Sequence, residues 1–215
     1  NPHASYRGVF GQRDGFYQTG YWHLDLTEIE FANSSRFGPE YNISHEGLQA
    51  PFEIAPGVVL QPGQYSWGTL GFDYQTDPSE NIWANGRFDF GDFWTGTRRG
   101  GSGTVTVRRG ATFSGSLTVE HNEVKLPEGN FDRTLEAVRL NYFFTPRVFV
   151  QTLTQFNNQQ RIWSANVRFG WLNTAGTGLF VVFNDGREAN GFFDWVRPQQ
   201  RTVFVKFTRQ FGTGG

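Results

Sequence analysis

The residues with the clearest chemical potential are two aspartates that lie close to two arginines in the middle of the chain. Asp89 and Asp92 stand near Arg87 and Arg98. Two carboxyl groups that face each other across a cleft could hydrolyse a glycosidic bond. Aspartate and arginine on neighbouring β-strands can instead neutralise each other as cross-strand pairs. We favour the ion-pair network and assign no catalytic residue.

The four histidines offer a second kind of chemistry, metal binding. His3, His23, His45 and His121 are scattered, none of them forms an i, i+4 pair, and no HExxH motif occurs. His45 and His121 each lie beside a glutamate near the end of a predicted strand. A metal site there is an alternative to solvated residues at a rim. We assign no metal ion and no cofactor.

The segment TGTRRGGSGT is rich in glycine and basic residues. It lacks the GK[ST] ending of a phosphate-binding loop, and no helical pattern follows it. We predict a flexible outer loop, in which Arg98 and Arg99 could contact the phosphates of lipopolysaccharide.

Composition narrows the class of protein. The 215 residues suit one all-β domain, and a net charge of -1 gives no electrostatic footprint for nucleic acid. Aromatic residues reach 17% although hydrophobic residues total only 37%. This combination is typical of a membrane barrel, which has aromatic girdles outside and a polar interior. The chain has no cysteine, which excludes disulfides and thiolate metal sites.

Alternation of apolar and polar residues dominates the chain and predicts strands. In RIWSANVRFGW, Trp163 and Val167 share one face while Asn166 and Arg168 share the other. Strands of about 10–13 residues exceed the ~5–6 that are usual in soluble sheets. The predicted fold is therefore all-β, an antiparallel transmembrane β-barrel over residues 1–215 with about 10–12 strands. The predicted strands span 17–32, with a bulge near Thr27, then 36–46, 64–76, 82–94, 102–109, 112–123, 133–144, 147–157, 160–172, 177–185 and 201–211.

The two faces of these strands are predicted to meet different media. A charge on the lipid side would cost roughly 2–4 kcal/mol at the membrane midplane, which explains why one set of positions avoids charge. The lipid-facing candidates are Ala84, Phe88, Phe90, Leu117, Val119, Val138, Leu140, Val167 and Phe169. The candidates for a polar lumen are Arg87, Asp89, Arg108, Arg139, Asn141, Asn166 and Arg168.

With one exception in ten, the short connection NNQ at residues 157–159, connections of different length alternate along the chain, as expected for a barrel with short periplasmic turns and long outer loops. The long ones are residues 46–63, 94–103, 124–132 and 186–200. Within the first of them, prolines and glycines argue against strand pairing over residues 47–63. We predict an ordered outer loop there, with Phe52 and Ile54 packed inward.

Several segments also resemble a known family, in the right order. They are GLQAPFEIAPGVVLQPGQY, FDFGDFWTGTRRG, VEHNEVKLPEGNF, VRLNYFFTPRVFVQTLTQFNN, LFVVFNDGRE and RTVFVKFTRQF. They resemble bacterial proteins whose C-terminal half is an outer-membrane barrel domain of unknown function, usually preceded by a module similar to family 9 carbohydrate-binding domains. The resemblance implies a fold and a location in the bacterial outer membrane, and no activity. The carbohydrate-binding module is absent from this chain.

The chain ends carry two further expectations. Residues 201–211 resemble the signal that the barrel-assembly machinery reads, with Phe211 as the late aromatic. Eleven strands counted back from there would place residues 1–15 in an outer loop or an upstream linker. Single-chain bacterial barrels have an even number of strands, so the chain is expected to be the C-terminal part of a larger barrel.

These features predict a non-enzymatic domain that acts as a pore or an anchor. Its expected partners are outer-membrane lipid, the barrel-assembly machinery and a polar solute or glycan. A soluble β-sandwich, either a carbohydrate-binding module or a glycoside hydrolase, is the alternative.

Overall fold

The computed structural model describes residues 2–174 and 177–209, and this part of the chain is almost entirely β-strand. No helix in these ranges is long and apolar enough to cross a membrane. The strands in chain order are β1 His3–Phe10, β2 Tyr17–Asp25, β3 Ile29–Glu30, β4 Arg36–Leu48, β5 Phe52–Ala55, β6 Val58–Leu60, β7 Gly63–Gln75, β8 Ile82–Phe93, β9 Gly96–Arg109, β10 Phe113–Leu126, β11 Gly129–Thr145, β12 Val148–Asn157, β13 Ile162–Thr174, β14 Thr177–Gly191 and β15 Asp194–Thr208.

Almost all of these strands belong to one antiparallel sheet. Its order is β1-β2-β4-β7-β8-β9-β10-β11-β12-β13-β14-β15, with β3 paired to β4 beside this path. The remaining strands, β5 and β6, form a separate two-stranded sheet. The predicted all-β antiparallel fold is therefore confirmed. Within the described residues no sheet is closed, so the barrel stays a prediction.

The predicted strands correspond to β2, β4 and β7–β15, and four further strands, β1, β3, β5 and β6, are present. Residues His3–Phe10 are a strand and not a loop or linker, because they pair with β2 over nearly their whole length, with Tyr6 against Trp22. The predicted strand 17–32 is broken after Asp25, and only Ile29–Glu30 resumes pairing, as β3. With the β5–β6 hairpin, these elements raise the count above the predicted 10–12.

Three predicted long loops are wrong, because their residues extend the neighbouring strands. Only Trp94 and Thr95 separate β8 from β9, only residues 127–128 separate β10 from β11, and only residues 192–193 separate β14 from β15. Proline is still confined to places that need no ladder donor: Pro127 lies in a turn, and Pro198 lies at an irregularity of the β14–β15 register. Phe211 lies outside the described residues.

The fourth predicted loop, residues 47–63, is ordered but contains the β5–β6 hairpin. Pro56 and Gly57 form its tight turn, and Gly57 has a φ of +78°, which glycine adopts without strain. The prediction that this segment contains no strand is therefore wrong. Proline at the first central position and glycine at the second are the residues that a type II turn requires.

The chain groups into two compact units. The first contains Asn1–Ser79, Ala84–Gly103 and Glu120–Arg133. The second contains Glu80–Trp83, Thr104–Val119 and Thr134–Gly215.

The apolar core of the first unit, here called the Leu60 cluster, is formed by the hairpin and β10. Leu60 is fully buried, together with Ala55, Val58, Val124 and Leu126, and Ile54 packs against them. The inward packing predicted for Ile54 is thus confirmed. Phe52 remains 45% exposed, so its predicted burial is wrong. The register shifts between Glu53 and Ala55, so alternation does not relate residues 52 and 54, and Phe52 lies at the open end of the hairpin, opposite Leu60.

The second unit has its own buried cluster. Phe156, Trp163, Ala165 and Ala189 are buried, and Phe192 packs against them. Phe156 and Trp163 are register partners on β12 and β13. The cluster therefore packs near the β12–β13 and β14–β15 turns.

Candidate functional site

A charged network lies on one face of the first unit, where β4, β7 and β8 run side by side. Glu40 lies opposite Gly71, and Gly71 lies opposite Asp89. Asp73 lies opposite Arg87 one step along the same face. A Cβ atom at position 71 would stand 2.9 Å from Glu40 Cγ and 3.0 Å from Arg87 Nη2. Glycine at this position therefore leaves room for the arginine to reach Glu40.

This network, here called the Arg87 network, consists of Glu40, Asp73, Arg87, Asp89 and Arg98. Arg87 Nη1 donates to Asp73 Oδ2 at 3.0 Å, and Arg87 Nη2 donates to Glu40. Asp89 accepts from Arg98 Nη2 at 2.5 Å and lies 3.8 Å from Arg87 Nε. Glu40 and Asp89 are buried. Arginines surround both buried carboxylates, as a low-dielectric environment requires.

The two aspartates considered as a catalytic pair are not brought together. Asp89 lies between two guanidinium groups. Asp92 is exposed, and its odd spacing from Asp89 along β8 places it on the other face of the strand. The cross-strand ion pairs expected from the sequence are present instead.

The prediction that Arg98 and Arg99 lie in an outer loop is wrong, since both belong to β9. Arg98 shares the face of Asp89 and binds it, whereas Arg99 is exposed. A cavity of about 410 Å³ lies beside the network. Its charged lining residues are Asp25, Glu28, Arg36, Glu40 and Asp73.

The same unit contains a cluster that the sequence did not reveal. One ligating atom from each of His3, His23 and Asp25 lies within 4.8 Å of the others. His23 Nε2 is 3.0 Å from one oxygen of Asp25, and His3 Nδ1 is 3.5 Å from the other. The missing signal is β1 itself, because the register of His3–Phe10 with β2 places His3 directly opposite Asp25.

The histidines considered for a metal site in the sequence are arranged differently. His45 hydrogen-bonds to Ser66 and Gln64 and stacks on the ring of Tyr17. Over the described residues, neither His45 nor His121 belongs to a group of three potential metal ligands.

In the second unit, the polar candidates form a ladder of amides. Asn166 Nδ2 donates to Asn184 Oδ1 at 2.5 Å, and Asn184 Nδ2 donates to Thr202 Oγ1 at 3.2 Å. This row, here called the amide ladder, crosses β13, β14 and β15. On β11, Asn141 donates to Ser114 Oγ at 3.0 Å.

The arginine candidates of the second unit contact rings or backbone. Arg168 lies over the rings of Phe180 and Phe149, at 4.8 and 5.9 Å from their centroids. Arg168 and Asn166 line a cavity of about 510 Å³. Arg139 is exposed. Arg108 is also exposed, and its guanidinium donates to the backbone oxygen of Glu80 at 3.5 Å.

A charged cluster of this unit was missed, because Arg187 was predicted to lie in the loop that follows the strand ending at Asp185. Asp185 lies in β14, is buried, and accepts from Arg187 at 2.5 Å and Arg201 at 3.2 Å. The guanidinium of Arg187 also lies 4.6 Å from the ring centroid of Trp195. Asp185 is two residues from Phe183, the register partner of the lipid-facing candidate Val167. A charged cluster thus occupies one end of the face predicted to contact lipid.

Comparison with known proteins gives no match to a family model, a curated protein or a solved structure. The family resemblance of the quoted segments therefore stays an interpretation of the sequence. The fold and the side-chain geometry carry the argument for function.

Proposed function

We propose that this chain is a β-barrel domain of the bacterial outer membrane that acts as a non-enzymatic pore or anchor. The observation that carries the proposal is a long antiparallel sheet, its strands in chain order, that exposes large apolar side chains on one face. Sequential pairing of neighbouring strands is the topology of an up-and-down barrel. Several strands have 13 or more residues, which exceeds the ~9–11 needed to span a bilayer.

The apolar face is visible in the register of the first unit. Tyr41, Leu70 and Phe90 are neighbours on adjacent strands, one step from the row Glu40, Gly71 and Asp89. In the second unit, Leu117, Leu140 and Tyr142 are between 43% and 49% exposed. Contiguous apolar patches of more than a few hundred Å² mark an interaction surface on a protein in water. Lipid would cover such a surface without cost.

The opposite face supports the same proposal. Glu40, Arg87 and Asp89 could not face lipid, because charge at the midplane is unfavourable by several kcal/mol. A closed sheet would turn these side chains toward an aqueous or protein-filled interior. The buried carboxylate Asp89 is neutralised by arginines, which leaves it poorly suited to general acid or base catalysis.

A matched pair of substitutions tests the proposal in intact cells. The chain is expressed behind a secretion signal in a Gram-negative host as wild type, Leu140→Arg and Asn141→Arg. We expect the wild type in the outer-membrane fraction, with a folded form that migrates differently from the boiled form in a gel. Leu140→Arg should abolish that form because it places a charge toward lipid, at roughly 2–4 kcal/mol near the midplane. Asn141→Arg should keep it.

Two outcomes contradict the proposal. If Leu140→Arg and Asn141→Arg are tolerated equally, the two strand faces do not meet different media. A wild-type chain that is monomeric in buffer without detergent would favour the soluble alternative, a carbohydrate-binding module or glycoside hydrolase.

A further inference from the structure

The cluster of His3, His23 and Asp25 lies where β1 pairs with β2. His3 is the register partner of Asp25, and His23 precedes Asp25 by two residues on the same strand. Residues two apart in a strand share a face, so all three side chains project to the same side. The two oxygens of Asp25 separate the two imidazole rings, whose centroids are 6.1 Å apart.

Neighbouring hydrogen bonds identify which nitrogen of His23 carries the proton. Glu40 is bound to Arg87, and it accepts a hydrogen bond from Asn42 Nδ2 at 2.5 Å. The amide oxygen of Asn42 must therefore point the other way, toward Tyr21 and His23. It accepts from the Tyr21 hydroxyl at 2.7 Å and lies 2.7 Å from His23 Nδ1. An amide oxygen only accepts hydrogen bonds, so Nδ1 of His23 is the donor.

The second nitrogen of His23 is consequently the one available as a ligand. In the neutral ring, Nε2 carries a lone pair, and it lies 3.0 Å from Asp25 Oδ1. A lone pair and a carboxylate oxygen at this distance repel each other unless a cation neutralises them. That cation is a proton on Nε2 or a metal ion between the donor atoms.

The surroundings favour a metal ion over a proton alone. A second imidazole, that of His3, approaches the other oxygen of Asp25 at 3.5 Å. A proton on His23 would satisfy one nitrogen, whereas a metal ion can bind atoms of all three side chains. Metal-bound histidines usually donate their other ring N–H to a fixed oxygen. His23 does so to Asn42, which is itself oriented by Glu40 and Tyr21.

We propose that His3, His23 and Asp25 form a binding site for a divalent transition-metal ion of the kind that prefers imidazole, with Zn²⁺ as the probe. Two imidazoles and one carboxylate form a known zinc ligand set that leaves a coordination position open. Asp25 also lines the cavity of about 410 Å³ beside Arg36 and Glu40. A further ligand of the ion could therefore enter from that cavity. The site requires only β1, β2 and β4, so it does not depend on the proposed membrane role.

The test is calorimetric titration of Zn²⁺ into the purified, chelator-treated full chain. We expect one saturable site in the wild type. His23→Ala and Asp25→Asn should each weaken Zn²⁺ binding by more than tenfold. Asn42→Leu, which removes the acceptor of the His23 proton, should weaken it about 10–100-fold. The matched control is His45→Ala, which removes a histidine outside the cluster and should leave the affinity unchanged.

Absence of saturable binding, unchanged affinity in His23→Ala, or an equal loss in His45→Ala would each overturn the proposal. X-ray absorption at the zinc edge of the wild type provides a readout that does not depend on whether a variant folds. We expect nitrogen scatterers at about 2.0–2.1 Å with the multiple scattering of imidazole. A shell of water oxygens alone would also overturn the site.

Discussion

The polar faces of the two units differ in how their side chains are satisfied. In the first unit, Arg87 and Arg98 neutralise the carboxylates of Glu40, Asp73 and Asp89, two of which are buried. Each buried charge there depends on a partner from a neighbouring strand. Removing one partner leaves an uncompensated charge, which is far more costly than losing an exposed pair.

In the second unit, the corresponding face combines neutral side chains with arginines that are exposed. Asn166, Asn184 and Thr202 hydrogen-bond in a row, and Arg168 is exposed and lies over two aromatic rings. Truncating one of these groups leaves amides that water can still reach. Two faces with the same alternating pattern are therefore expected to respond very differently to mutation.

The largest expected difference comes from replacing one arginine in each unit by methionine. Arg87→Met removes the guanidinium group that binds Glu40 and Asp73. Its cost should lie near the lower end of the ~3–5 kcal/mol for a broken buried pair, because Arg87 is partly exposed. Arg168→Met removes two exposed cation–π contacts, worth about 0.5–1 kcal/mol each. Denaturant unfolding of both variants measures the two costs, and equal values would remove the contrast between the units.

A smaller difference is expected from adding one methyl group to a glycine in each unit. Gly71→Ala places a Cβ 2.9 Å from Glu40 Cγ and should destabilise by about 1–3 kcal/mol through overpacking. Gly186→Ala meets its nearest atom, the backbone oxygen of Gln200, at 3.9 Å. We expect its free energy of unfolding to stay within about 0.5 kcal/mol of the wild type. If both alanines are tolerated, the Arg87 network is more adaptable than its packing indicates.

The smallest expected difference between the units concerns the salt dependence of one substitution in each. Asn184→Ala removes the two hydrogen bonds to Asn166 and Thr202, and it should cost about 1–3 kcal/mol at roughly 0.5–1.5 kcal/mol per bond. Because no charge is involved, this cost should be the same at low and high salt. The cost of Arg87→Met should fall with added salt, because its pairs are partly exposed. If the cost of Asn184→Ala depends on salt, the amide ladder carries charge.

The sequence predicted most of the strands, because alternation reports directly which residues share a face. It could not predict register, which decides that Glu40 reaches Arg87 across the intervening Gly71. The His3 cluster was missed for the same reason, since it exists only when His3 stands opposite Asp25.

The misplaced Arg98 has a packing explanation. Its glycine-rich surroundings resemble a loop, yet a Cβ at Gly100 would stand 2.3 Å from Asn122 Oδ1 and 3.3 Å from Asp89 Oδ2. The glycine lies in a crowded strand and does not indicate a flexible turn. Composition alone cannot separate these two uses of glycine.

In the part of the chain that the structure describes, the β5–β6 hairpin forms a sheet of its own and shares no ladder pairing with the large sheet. It is held instead by the burial of Leu60, Val58 and Ala55. Lifting it would therefore break side-chain contacts but leave the pairing of β4 with β7 intact. In amide hydrogen exchange, the hairpin should behave as a separate cooperative unit that opens at a lower free energy than the surrounding strands. Entry of water or solute to the end of the first unit where the hairpin packs would then depend on how fast the hairpin opens.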